Sequence, residues 1–375
     1  MRVPVGIGVG LFILSAGTAF GQTPAPPAAV IGAAPVQPAS PAFKPSLTIG
    51  GYVQGELDAG AAGDSRFPAS DRFFVRRARL TASGSAMPTL TYRFQAEFAG
   101  GLGATSGVTA SLTDAYAEWT KFRQAHIRFG QFKAPFGREW LTSSTQLAVI
   151  ERSLVSDRLT LNRQIGVEAL GDAYGGRVGY LAAVVNGNGR NTTVNDNRDF
   201  MYIVRGTSTP WKASSVGRLE IGANAFWSRD TKLAFAQEFK LDSTSDTPAA
   251  DNLFTGRRTG AGIDGHFDRR MWTVDGEWLR VRFEQDASGA AIVTSQGWYV
   301  MPGAFVFRRL VQAVGRYEWY RPDVHVAGNE TSTWTGGLNY YARGDSAKLM
   351  VDYLWVNTPA STDHAKVLAR IQVTF

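Results

Sequence analysis

The sequence predicts an all-β protein, a transmembrane antiparallel β-barrel of about 16 strands with the third long loop folded into the lumen. Three observations carry this expectation. From Leu47 to Phe375 apolar and polar residues alternate with a period of two. The alternating segments run about 9–13 residues, long enough to cross a bilayer at a tilt, whereas strands of soluble proteins average about five or six. The connections between them alternate between short and long, as barrel turns and outer loops do.

The chain begins with a different signal. Arg2 supplies a charge, Val5 to Leu14 an apolar core broken by glycines, and Ala19-Phe20-Gly21 a small-x-small cleavage pattern before Gln22. Residues 1–21 therefore read as a secretory signal peptide. Its removal takes one cation from a formal charge of +7. Residues 22–45 are rich in Pro and Ala and carry little bulky apolar surface, which predicts a disordered periplasmic linker. The barrel is expected over residues 46–375, in the bacterial outer membrane. The chain has no cysteine, which excludes a disulfide framework and a thiolate metal site.

The first expected strand, at about 47–58, sets Leu47, Ile49, Gly51, Val53 and Leu57 against Thr48, Tyr52, Gln54, Glu56 and Asp58. Strands at about 72–84 and 88–99 follow, and in the second Tyr92, Phe94, Ala96 and Phe98 oppose Arg93, Gln95 and Glu97. Further strands are expected at about 111–121, 124–132, 163–171, 174–186, 198–211, 216–229, 255–268 and 270–285. The last five are expected at about 291–307, 308–320, 331–342, 346–357 and 364–375. Short turns close the even strands, among them Phe122-Arg123, Asp172-Ala173 and the Arg308 region. Longer connections such as Asp230–Phe254 follow the odd ones. Aromatic residues gather at strand ends, where rings favour the headgroup region: Tyr52, Phe73, Phe74, Trp119, Phe132, Trp211, Trp227, Trp272, Trp319, Tyr320, Trp334 and Trp355.

The stretch from Arg128 to Ser144 begins as a strand and stops at Pro135 and Gly137. It continues as a loop of about 25–30 residues, long enough to imply a function. The loop carries Lys133, Arg138, Glu139, Glu151, Arg152, Asp157, Arg158 and Arg163. It is expected to enter the barrel and narrow it.

Several motifs in order, FFVRRARL (73–80), TYRFQAEF (91–98), DAYAEW (114–119), RFGQFKAPFGRE (128–139), ERSL (151–154), QGWYV (296–300), GLNYY (337–341), KLMVDY (348–353) and RIQVTF (370–375), resemble the phosphate-selective porin O/P family of Gram-negative outer membranes. The resemblance covers almost all of the chain after the linker. It implies a sixteen-stranded barrel, a homotrimer with its third long loop folded inward, and a terminal Phe375 that serves as the signal read by the barrel assembly machinery. It also implies passage of phosphate or polyphosphate.

Register places Arg77, Arg79, Arg93, Arg128, Arg316, Lys348 and Arg370 on the lumen face. Guanidinium groups suit anions because they stay charged and bind oxyanions bidentately. The same register places a larger number of acids inward, including Glu56, Asp58, Glu97, Asp114, Glu118, Glu168, Glu220, Asp264, Asp275, Glu277, Glu318 and Asp352. Anion preference therefore has to come from a local cluster: Arg77, Arg79 and Arg93 on the wall with Arg128 nearby, facing Lys133, Arg138, Arg152 and Arg158. Lys133, Arg138 and the Arg77/Arg79 pair are the expected constriction. The charge census favours a general porin of mixed charge for small hydrophilic solutes, and the family resemblance favours small anions.

Two other classes remain open. An outer-membrane barrel lipase or protease would use one of four histidines, His126, His266, His325 and His364, but neither a G-x-S-x-G nor an H-E-x-x-H motif occurs. A secreted, soluble β-sheet binding module would pack its apolar faces on protein rather than on outer-membrane lipid. No enzyme activity, cofactor or metal is expected. The positive charges are dispersed over alternating strands, so no nucleic-acid partner is expected either.

Overall fold

The computed structural model describes residues 43–61, 64, 66–67, 71–100, 110–213, 216–234, 253–359 and 364–375. The expected signal peptide and most of the expected linker lie outside these residues.

Period-two sequence becomes strand along the whole described chain. The strands are β1 (Thr48–Ala59), β2 (Arg72–Met87), β3 (Leu90–Glu97), β4 (Ser111–Phe122), β5 (Ala125–Lys133), β6 (Arg163–Ala173), β7 (Val178–Val185) and β8 (Met201–Ala213). They continue as β9 (Gly217–Ala234), β10 (Leu253–Arg269), β11 (Trp272–Gln285), β12 (Val293–Phe307), β13 (Val311–Arg321), β14 (Thr331–Asp345), β15 (Ala347–Asn357) and β16 (Ala365–Thr374). Among the described residues these sixteen strands form one closed antiparallel barrel in sequence order. It closes where β1 pairs with β16, from Tyr52 opposite Thr374 to Ala59 opposite Val367. Closure leaves no edge, so every strand finds ladder partners on both sides. Phe375 continues the seam: its N–H donates to Gly51 O at 3.0 Å, and its carbonyl accepts from Gly51 N–H at 2.9 Å.

Alternation in sequence is alternation in burial. In β15 Lys348, Met350, Asp352, Leu354 and Val356 are buried inside the barrel, while Leu349, Val351, Tyr353 and Trp355 are exposed on its outer face. Lipid is the solvent that suits that outer surface. The expected aromatic ends divide. Phe73, Trp119, Trp211, Trp227, Trp272, Trp334 and Trp355 are exposed. Tyr52, Phe132 and Tyr320 are buried instead, because register turns them inward, where they meet other parts of the chain. The strands also vary more in length than expected, from 8 residues in β3 and β7 to 18 in β9.

That variation positions the third long loop. β5 stops after 9 residues, whereas β9 and β10 run 18 and 17, so the loop leaves the wall well inside the rim. It is not structureless, as its sequence suggests, but carries two short helices, α1 (Arg138–Leu141) and α2 (Leu154–Leu159). Gly137 makes the bend before α1 at φ 91°, and a Cβ there would lie 2.7 Å from Thr160 Cγ2. Ser153 caps α2, its hydroxyl accepting from Ser156 N–H at 3.0 Å.

Two kinds of contact hold the loop among inward-facing side chains. Leu154, Val155, Leu159 and Leu161 pack with Phe132, Val185, Met201, Ile203, Phe226, Leu279 and Val293 in one apolar cluster. The polar side chains of the wall serve the loop's main chain. Gln54 donates to Ser144 O, Gln372 to Thr145 O, Lys348 to Leu147 O and Asn339 to Ala148 O, at 3.1, 3.0, 2.9 and 2.6 Å. Arg370 donates to Ile150 O and Arg316 to Glu151 O, at 2.5 and 2.9 Å. Asp352 accepts from Ile150 N–H at 2.6 Å and Glu318 from Leu154 N–H at 3.2 Å. Buried backbone groups require partners, and here the wall supplies them from β1 and from β13 to β16. Part of the inward excess of acids thus has a structural use. The loop between β1 and β2 contributes as well: Phe67 packs with Ile150, Met350, Leu354, Val356 and Leu368, and Arg66 donates to Arg152 O at 2.9 Å.

Candidate functional site

The strand β2 contains a bulge that sequence alternation does not reveal. Gln54 pairs with Arg77 and Gly55 with Val75, which leaves Arg76 unpaired. A bulge re-aims its extra side chain, and Arg76 turns inward beside Arg77. Both meet Glu151 of the loop. Arg76 Nε lies 2.7 Å from Glu151 Oε1, Arg77 Nη2 3.5 Å from Oε2, and Arg370 Nη2 2.6 Å from Oε1. Burial pushes the Glu151 carboxyl up, but the Arg76, Arg77 and Arg370 guanidiniums outweigh it and hold the group well below the usual carboxylate range.

A cavity of about 230 Å³ opens next to this cluster. Its walls carry Arg76, Arg77, Arg79, Lys133, Arg152, Arg163 and Arg190 against only Glu151 and Asp157, with Trp140 and Asn162 between them. Four of these cations are spoken for. Arg76 and Arg77 face Glu151, Arg79 Nε lies 2.6 Å from Glu97 Oε2, and Arg163 Nε lies 2.7 Å from Asp114 Oδ1. Lys133 and Arg152 have carbonyl partners rather than carboxylates. Lys133 Nζ donates to Trp140 O, Leu141 O and Thr142 O at 2.8, 3.2 and 3.0 Å, and Arg152 donates to Glu139 O and Thr142 O at 3.1 and 2.7 Å. They fix the end of α1. Burial lowers the Arg152 pKa, an effect that Glu139 and Glu151 oppose. Lys133, Arg152 and Arg163 also surround the Trp140 ring, at 5.4, 5.3 and 5.7 Å from its centroid. Arg190 is exposed.

A second cavity, of about 510 Å³, shares Arg79, Lys133 and Arg163 with the first. It extends along β1 to β6 past Arg93, Gln95, Asp114, Tyr116 and Arg128. Arg128 there sits between Glu118 and Glu168, at 2.7 and 2.6 Å, and Arg93 Nε lies 3.4 Å from Asp114 Oδ2.

The structure brings Arg77, Arg79, Lys133 and Arg152 together, and places Arg93 and Arg128 in the adjoining cavity. It does not bring Arg138 to them. That side chain points to the opposite wall, where Nη1 lies 2.5 Å from Glu220 Oε1 and Nε 3.5 Å from Asp275 Oδ1. Arg158 lies on α2 and does not line either cavity. Burial pushes the Asp64 carboxyl up, while Arg66 and, more weakly, Arg158 pull it below its ordinary range. Sequence reading missed Arg76, Arg163, Arg190 and Trp140 as members of the cluster. The bulge hides the first, and a tertiary approach gathers the others, although a lone Trp between cations in a long loop was a usable hint.

The family model of phosphate-selective porin O and P matches residues 51–375. This chain belongs to that family. It is an outer-membrane porin, a channel through a closed barrel. No curated protein matches the sequence closely enough to count as a relative. Several solved structures share the fold. The trimer form of OmpT from Vibrio cholerae is 12% identical, covering 89% of this chain and 100% of that one at a TM-score of 0.61. An anion-selective porin from Comamonas acidovorans is 11% identical, covering 88% and 100% at 0.61. The outer membrane channel DcaP of Acinetobacter baumannii is 13% identical, covering 88% and 97% at 0.59. The likeness in these cases is one of fold, across a barrel that tolerates very different sequences.

Proposed function

We propose that this porin is a passive channel that prefers small oxyanions of the phosphate type. The solute passes between the loop and the β2–β6 wall, with the narrow point at Arg79, Lys133 and Arg163. One observation carries the reading: seven cations face two carboxylates around the first cavity, and Arg79, Lys133 and Arg163 also line the second. An anion leaving one cavity meets the same positive groups in the next, and Arg and Lys linings are an established route to anion selectivity. A general mixed-charge porin is the second reading. It is favoured by the far wall, where Glu220, Asp275 and Glu277 stand around Arg138.

The reversal potential of the purified pore in a potassium chloride gradient tests the choice. Under the first reading chloride outruns potassium, inorganic phosphate blocks chloride current, and Arg190→Glu with Arg79→Gln moves the potential toward cation preference. Near-equal permeabilities without phosphate block would select the second.

Further proposals go with this reading. The trimer form of OmpT supports a homotrimer embedded in outer-membrane lipid. Residues 1–21 act as a cleaved leader, 22–45 as a linker, and Phe375 as the signal for the assembly machinery. The porin family supports a channel without catalysis. The histidine Nδ1 atoms engage Glu118, Asp275, Asp323 and the carbonyl of Val356.

A further inference from the structure

The short turns β10–β11, β12–β13 and β14–β15 lie side by side on the periplasmic rim and carry five exposed arginines: Arg269, Arg270, Arg308, Arg309 and Arg343. Among the described residues none of the five has a carboxylate within ion-pairing distance, unlike Arg123 on another short turn, which Asp172 holds at 2.9 Å. The conformation of these turns makes the choice of residue notable. Arg270, Arg308 and Arg309 have φ of 53°, 42° and 58°. Two successive left-handed residues are the pattern for which Asn-Gly is the favoured hairpin sequence, and a long L-side chain there is strained. Turn geometry therefore selects against arginine at 308 and 309, and the charge has to be accounted for in another way.

The surroundings point to what these charges meet. The outward apolar face ends at these turns with Trp272 and Val306, 64% and 62% exposed. Arg269 is the cross-strand partner of Trp272. Arg308 stands over the Phe307 ring and Arg309 over the Phe305 ring. Arg309 also donates to Arg270 O at 2.6 Å, linking two of the turns. Arginine beside an exposed tryptophan at the end of a lipid-facing strand lies at headgroup depth.

We propose that these three turns form a binding surface for anionic phospholipid headgroups of the leaflet facing the periplasm. The guanidiniums take the headgroup phosphates, and the neighbouring Trp272 and Val306 contact the upper acyl chain. Clustered cations beside a bilayer attract anionic lipid, and the attraction falls with salt.

The test uses the full barrel reconstituted in phosphatidylcholine, probed with spin-labelled phosphatidylglycerol or spin-labelled phosphatidylcholine. Wild type is expected to hold motionally restricted phosphatidylglycerol about fivefold over phosphatidylcholine, the effect of a single well-placed cation, declining as salt rises. The variant R269Q/R343Q, which leaves all left-handed positions intact, is expected to lose part of this preference. R269Q/R270N/R308N/R309G/R343Q is expected to lose it all while keeping heat-modifiable folding and single-channel conductance. Inorganic phosphate at the same ionic strength as chloride is expected not to displace the lipid. Equal preference in wild type and the five-site variant overturns the proposal and is the result expected of a surface that serves an acidic protein instead. A preference abolished by inorganic phosphate alone also overturns it, because the site would then be one for free phosphate.

Discussion

Glu151, at the centre of the inward loop, and Arg370, on the last strand, meet at 2.6 Å across 219 residues of sequence. Arg370 Nη2 also lies 2.7 Å from Glu56 Oε2 on the first strand. One guanidinium thus ties the loop to both strands that close the barrel.

Glu151→Gln is expected to have two opposite effects. It removes one of two carboxylates from the cationic cavity, so anion-to-cation permeability rises in bilayer measurements. It also leaves Arg76, Arg77 and Arg370 without their shared partner, and breaking a buried pair costs about 3–5 kcal/mol. The loop should then fluctuate, read as added open-channel noise and faster proteolysis within 138–160.

The same carboxylate sets a pH dependence. Its folded pKa is held well below the ordinary carboxylate value, so its stabilisation is fully present above the unfolded pKa and is lost only as pH falls through the folded value. The excess open-channel noise of Glu151→Gln over wild type should hold constant from pH 7 down through about 4.3, where an ordinary glutamate titrates, and vanish only in stronger acid. Loss of that excess near the ordinary value would show that Glu151 is not held as described.

Asp352→Leu deprives the buried Ile150 N–H of its acceptor. An unsatisfied buried group of this kind costs about 1–3 kcal/mol. The barrel itself should still form, shown by an unchanged shift between boiled and unboiled samples, while hydrogen exchange at Ile150 and its neighbours speeds up.

Arg138→Gln separates the two ends of the expected constriction. Arg138 pairs with Glu220 and Asp275 away from the cationic cavity, so this change should shift the reversal potential much less than Arg79→Gln. Equal shifts would return Arg138 to the constriction.

Gly51→Val tests the seam. A Cβ at Gly51 would lie 2.4 Å from Arg79 O and 2.8 Å from Phe375 Cζ. The variant should accumulate as unfolded monomer, seen as loss of the heat-resistant band.

The sixteen strands were legible because each has one face in lipid, which forces the period-two pattern whatever the lumen does. Inward placement of Glu56, Glu97, Glu277, Arg316 and Arg370 followed from the same register. What the pattern could not show was use. Arg316, Lys348 and Arg370 looked like channel lining but donate to carbonyls of the loop, and Glu318 and Asp352 looked like charges opposed to anions but accept its N–H groups. Arg76 was hidden because one extra residue in β2 reverses the side to which its neighbours point. Arg138 was misplaced because spacing along a loop does not tell which wall it faces.

Because the wall holds Ser144, Thr145, Leu147 and Ala148 by their carbonyls, these positions can change side chain without releasing those hydrogen bonds, whereas Glu151 cannot. Two related barrels could keep these main-chain contacts and still exchange the chemistry of the aperture. Substrate range in such a channel can therefore diversify in one short insert while the scaffold stays under separate selection.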